Sequence, residues 1–187
     1  MRQGWLMTGL ALLALAGPVM AAEVAGVKLQ EKVSVGGKDL VLNGAGVRTR
    51  MVFKVYVAAL YLPAKAADLP ATLAQSPRRV QMTLLRNVSA DDLVQALVGG
   101  MNANNPPQDM AAVKPQTDQL VTVMKSIGEA REGDVVALDF VGSETRIGHN
   151  GKAIGAIAGT PFNDALMKIW LGDKPVQADL KKAMLGG

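Results

Sequence analysis

The chain has 187 residues, with 20 basic and 16 acidic side chains, one histidine and a formal net charge of +4. It contains no cysteine, which excludes a disulfide framework, a thiolate nucleophile and a cysteine-ligated metal. The small, scattered charge excess argues against a nucleic-acid partner, and the length suits one domain with a substantial core.

In chain order, Arg2 and the apolar run Leu6–Ala16, broken by Gly17-Pro18, read as a secretory leader over residues 1–21. Cleavage is expected after Ala21 or Ala22, leaving residues 22–187 as a single domain. The apolar run is too short to span a bilayer comfortably, and no later segment reaches 18 apolar residues. No stable membrane span is therefore expected after cleavage, and the expected location is the bacterial envelope, periplasmic or secreted. Val33–Asn43 alternates around Gly36-Gly37, which predicts a β-hairpin. A turn is read at Gly44-Ala45-Gly46. Val47–Leu62, rich in Val, Tyr and Phe, reads as one long strand or two strands separated by a bend, ended by Pro63.

A short helix is expected over Ala66–Gln75, weakened by Pro70, and a strand over Arg79–Val88. The pairs Arg78-Arg79 and Lys181-Lys182 read as solvated element ends. Ser89, followed by Asp91 and Asp92, caps a helix carrying Leu93, Leu97 and Met101 at helical spacing. Asn102–Pro107 reads as a loop. A second helical pattern, with Pro115 as a break or new start, runs from Met110 to Met124 and ends near Gly128. Asp134–Val141 is a strand, and Thr145–Ile157 a hairpin turning at Asn150-Gly151. Helices follow over Phe162–Leu171, closed by Gly172, and over Gln177–Leu185. This order suggests an α+β domain in which helices pack on one face of an antiparallel sheet.

Three segments together resemble the chalcone isomerase-like family: Asn43–Leu62 (NGAGVRTRMVFKVYVAALYL), Met82–Leu97 (MTLLRNVSADDLVQAL) and the helix and turn from Phe162 (FNDALMKIWLGDKPV). The resemblance is closest to the secreted bacterial branch. It implies an open-faced β-sandwich, with a large antiparallel sheet covered by a layer of helices and a ligand cleft between them. Plant enzymes of the family close a flavanone ring and carry an arginine after a Gly-x-Gly turn, which matches Arg48. Its implied role there is to guide a phenolate and stabilise enolate charge. The next polar position, a threonine in those enzymes, aligns with Tyr56. Their helix tyrosine and asparagine align with Leu93 and Gly100, which donate no side-chain hydrogen bond. The chain thus resembles a non-catalytic member, and the Arg48–Tyr56 pair resembles the fatty-acid-binding branch, where such a pair holds the carboxylate. The expected ligand is a fatty acid or similar amphiphilic carboxylate or carbonyl compound. The alternatives are an isomerase of the intramolecular lyase type using Arg48, and an envelope interaction protein without a ligand.

The residues themselves leave choices open. Arg48 reads as an anchor or as a strand-end ion-pairing residue, with Arg50 a weaker substitute of the same parity. Eight residues of straight strand would separate Arg48 and Tyr56 by roughly 26 Å, so they can share a ligand only across a bend. Tyr56 is otherwise a packed strand tyrosine. Tyr61, of opposite parity, reads as core. Arg86 and Asn87 precede a helix N-terminus already served by Ser89. His149, the single histidine, reads as an exposed turn residue beside Asn150-Gly151. Met82, Met101, Met110, Met124 and Met167 fit core filling or an adaptable lipid cleft. No Ser-His-Asp set, phosphate loop or dinucleotide fingerprint occurs, and no metal or cofactor is expected.

Overall fold

A computed structural model describes residues 20–187. The leader read over residues 1–21 lies outside the described residues apart from the backbone of its last two. The strands are β1 (Met20–Val24), β2 (Val27–Gln30), β3 (Lys32–Val35), β4 (Lys38–Arg50), β5 (Phe53–Leu62), β6 (Arg78–Leu84), β7 (Val88–Ser89), β8 (Glu129–Ala130), β9 (Val135–Val141), β10 (Glu144–His149) and β11 (Lys152–Ala158). The helices are α1 (Leu69–Leu73), α2 (Ala90–Asn104), α3 (Pro107–Ala112), α4 (Lys114–Lys125), α5 (Thr160–Leu171) and α6 (Ala178–Met184).

A seven-stranded antiparallel sheet runs in the order β11-β10-β9-β6-β5-β4-β3. Its central strands alternate with period two. Tyr56, Ala58, Leu60 and Leu62 of β5, with Val80, Met82 and Leu84 of β6, face the helical layer and form the main core with Leu93, Leu97, Met101, Leu166 and Trp170. Val57, Ala59 and Tyr61 point to the other face, into a smaller core with Leu29, Val33, Val35 and Leu40. The β1–β2 hairpin therefore covers part of the face that an open-faced sandwich leaves bare.

Both glycine-bearing hairpins occur as read, at Gly36-Gly37 and at Asn150-Gly151, all four residues having positive φ. The run from Val47 to Leu62 is two strands. The chain reverses at Met51-Val52, and Arg50 pairs with Phe53. The turn read at Gly44-Ala45-Gly46 is not one, because all three residues lie inside β4. A Cβ on Gly44 would stand 2.1 Å from the Ala183 carbonyl oxygen, and one on Gly46 would stand 2.8 Å from the Ala183 Cβ. These glycines are the seat on which α6 packs.

Other readings are corrected by backbone hydrogen bonding. Pro70 does not weaken α1, since it occupies the first turn, where an N–H has no helical partner, and Asp68 caps the helix through the Ala71 N–H. The strand read over Arg79–Val88 stops at Leu84. Of the loop read over Asn102–Pro107, Asn102–Asn104 form the last turn of α2 and Pro107 begins α3, leaving Asn105-Pro106 as the connection. There Asn105 donates to the Met101 carbonyl at 2.8 Å, and Asn104 both donates to and accepts from the backbone of Lys174. Arg78 and Arg79 are not solvated ends. Arg78 is 5% exposed, and Arg79 makes a two-pronged pair with Asp139, its cross-strand partner, at 2.5 and 2.7 Å.

Candidate functional site

The reversal at Met51-Val52 settles how Arg48 and Tyr56 stand to one another. They are direct cross-strand partners in the β4–β5 ladder, which places their Cα atoms about 5 Å apart instead of at the two ends of one strand. Both line the same cleft, a space of about 330 Å³ between the sheet and α2. A β-bulge helps to shape it. Arg48 pairs with Tyr56 and Thr49 with Lys54, so Val55 has no partner on β4 and joins the cleft wall.

The wall is largely apolar. Val55 and Met82 come from the sheet, Leu93, Ala96 and Leu97 from α2, and Ile169 and Val176 close one end. Of the methionines considered for a lipid cleft, Met82 is the one that lines this space. Small residues at Ala96, Gly99 and Gly100 keep the α2 face low. A Cβ on Gly100 would meet Ile169 Cγ2 at 2.9 Å, so this glycine also lets α2 approach α5. Leu93 and Gly100, aligned above with the helix tyrosine and asparagine of plant enzymes, both face the cleft.

Two polar partners of the pair escaped the sequence reading. Trp170, read only as a core residue, donates its indole N–H to the Tyr56 hydroxyl oxygen at 3.2 Å. The tyrosine oxygen thus accepts within the core while its own proton stays free to be donated. Burial pushes the Tyr56 phenol above its usual 10.0, with the Trp170 hydrogen bond and the Arg48 charge acting in the opposite direction. The hydroxyl is therefore a neutral donor at physiological pH. The available signal was general: a buried Tyr and a buried Trp each need a partner for their polar atom.

The second partner is Gln177, the residue preceding α6. Its side-chain oxygen accepts from the Thr49 backbone N–H at 2.8 Å and from Arg48 Nη1 at 3.4 Å. Its amide nitrogen donates to the Val47 carbonyl at 3.2 Å. Arg48 Nη1 also donates to the Thr49 carbonyl. Gln177 thus holds the outer edge of β4 and the base of the guanidinium together. No local pattern marks this glutamine in the sequence.

The remaining candidates separate. Arg50 is exposed at the mouth of the cleft. Tyr61 lies on the opposite face, fully buried as read, with its hydroxyl lacking a hydrogen-bond partner among the described residues. Arg86 stacks over the Phe53 ring rather than serving the α2 N-terminus, while the Asn87 side chain accepts from the Glu132 N–H. His149 is not an exposed turn residue. It is half-buried, with Nε2 3.1 Å from Asp134 Oδ2, and lies outside the cleft. Among the described residues no three acidic or histidine side chains gather as a metal set, and no helix is long and apolar enough to cross a membrane.

No curated protein matches the chain in sequence. Among solved structures, an Arabidopsis thaliana fatty-acid binding protein superposes with a TM-score of 0.66 at 7% identity, covering 90% of this chain and 96% of the other. At that identity the likeness is one of fold. The family model described as chalcone isomerase-like matches residues 21–186, which spans both faces of the cleft and every strand of the main sheet, and the chain belongs to the chalcone isomerase-like family.

Proposed function

We propose that the protein is a non-catalytic binding protein of the secreted bacterial branch of its family, working in the periplasm on a fatty acid or a similar amphiphilic carboxylate. The observation that carries this reading is the cross-strand Arg48–Tyr56 pair at one apolar cleft, with the Tyr56 proton free. A guanidinium and a neutral hydroxyl are a matched pair of donors for a carboxylate. The acyl chain runs along Val55, Met82, Leu93 and Leu97. The fold shared with a protein named for fatty-acid binding and the leader read from the sequence support the same reading. The open volume speaks against a cleft filled by its own side chains. Ring closure would need further donors, and α2 presents Leu93 and Gly100 where they would stand.

The test is titration of the delipidated protein with saturated fatty acids of increasing length. Affinity is expected to rise by about 0.8 kcal/mol, roughly fourfold, for each methylene buried. A volume near 330 Å³ lies at the lower end of the roughly 300–1,000 Å³ usual for ligand sites, so the gain should stop at a chain of medium length. Arg48→Ala removes a charged donor and should cost about 1.5–3 kcal/mol, a loss of roughly ten- to a hundredfold. Tyr56→Phe should cost about 1 kcal/mol. A wild-type protein that binds no member of the series, or an Arg48→Ala variant that binds unchanged, defeats the proposal.

A further inference from the structure

Five two-residue turns join neighbouring antiparallel strands among the described residues. Four contain a glycine with positive φ: Ala25-Gly26, Gly36-Gly37, Gly142-Ser143 and Asn150-Gly151. The fifth, between β4 and β5, is Met51-Val52, with Met51 at φ 56°. A left-handed first turn position favours glycine and is sparsely occupied by long side chains. Packing does not explain the choice either. Met51 is 89% exposed, Val52 84% and the following Phe53 55%. Three consecutive apolar side chains therefore face solvent at a hairpin tip where turn chemistry and the core both favour something else.

The surroundings of the tip are basic. Arg50 precedes it and Lys54 follows it, both exposed. The Arg86 guanidinium lies 4.7 Å from the centre of the Phe53 ring. The acidic side chain in this neighbourhood, Asp92, is engaged by the Ser89 hydroxyl at 2.7 Å. The tip is also continuous with the cleft. A shallower hollow of about 250 Å³ beside Phe53 and Arg86 shares Arg50, Val55, Val88 and Asp92 with it.

We propose that the β4–β5 tip docks the protein on an anionic lipid bilayer. Met51, Val52 and Phe53 insert among the acyl chains, Arg50, Lys54 and Arg86 meet the headgroup phosphates, and the mouth of the cleft is held against the membrane. An apolar wedge ringed by cations fits such a surface, since insertion and headgroup attraction add. The docking rests on the tip alone and does not depend on which ligand Arg48 and Tyr56 hold.

The experiment is flotation of the purified protein with vesicles of phosphatidylcholine, alone or mixed with phosphatidylglycerol, at low and raised salt. Wild type is expected to float with the mixed vesicles and to be released by salt. Met51→Asn combined with Val52→Ser should abolish flotation while fatty-acid binding in solution and the melting temperature are retained, because both positions are exposed and asparagine tolerates positive φ. Lys54→Gln combined with Arg86→Gln should weaken flotation roughly fivefold per charge removed. Wild type that stays off mixed vesicles at low salt, or a tip variant that floats like wild type, overturns the proposal. A tip variant that turns a dimer into a monomer without changing flotation gives the tip to a second copy of the chain and overturns it equally.

Discussion

Along the free edge of β4, beyond the short β3 pairing, the side chain of Gln177 accepts from one backbone N–H and donates to the carbonyl two residues away, as a neighbouring strand would. The same oxygen receives Arg48. Gln177→Leu keeps the bulk and removes both roles. The freed backbone groups can bond to water, so the stability cost should be about 0.5–1.5 kcal/mol, a fall in melting temperature of about 1–6 °C for a domain of this size. Fatty-acid affinity should fall as well, although Gln177 is not among the residues lining the cleft. An affinity unchanged from wild type would show that Arg48 is oriented without it. Arg48 and Tyr56 were legible because their motif is local. Gln177 and Trp170 were not, because what singles them out is a partner 129 or 114 residues away in the chain.

At the scale of elements, the glycines of β4 decide where the helical layer sits. Gly44→Ala drives a methyl group into the Ala183 carbonyl, a backbone atom that cannot rotate aside. Overpacking of this kind costs about 1–3 kcal/mol, sometimes more. Gly46→Ala meets side-chain atoms of Ala183 and Leu180 at 2.8 and 3.1 Å and should cost less. Thermal unfolding of both variants checks the order, and equal losses would refute the account of α6 seating. In sequence these glycines read as a turn because glycine signals both turns and close approach, and a single chain does not say which. At Met51-Val52 the ambiguity was the converse one, between one long strand and two strands with a bend, and the second reading holds. The hairpins at Gly36-Gly37 and Asn150-Gly151 announced themselves through glycine, whereas here an apolar pair at the reversal gave no signal of where a bend would fall. Most element types were legible from period and caps. The α2 terminus was not, since its asparagines serve the helix end through side-chain bonds to distant backbone.

For the whole molecule, two buried tyrosines and one partly exposed carboxylate make stability depend on pH. Burial raises both Tyr56 and Tyr61 above 10.0, with Arg79 partly offsetting the effect at Tyr61. The folded state then holds these protons more tightly than the unfolded chain. Their contribution is complete below pH 10.0 and is lost as pH rises through the folded-state values. Asp134 behaves in the opposite sense. Hydrogen bonds from the Arg131 N–H, Asn150 and His149 hold its carboxyl below its usual 3.8. Its contribution is present above 3.8 and lost as pH falls through the folded-state value. Melting temperature against pH should therefore decline above pH 10, and Tyr61→Phe should flatten that decline. A wild-type curve flat to well above pH 10 would refute it. The layered architecture was legible chiefly through the family resemblance. The second core under β1–β2 was not, because the short alternation at Val27 and Leu29 does not say which face of the sheet the hairpin covers.

The bonds that complete the cleft share one property: they join the two ends of the chain. Tyr56 waits for Trp170 and Arg48 for Gln177, across separations of 114 and 129 residues. The hairpin carrying Arg48 and Tyr56 needs only its own turn and can form early, whereas these long closures come at the greatest cost in chain entropy. In chain order the two cleft-lining side chains come long before Trp170 and Gln177, which hold them. The cleft's polar bonds are therefore complete only when the C-terminal helices have docked.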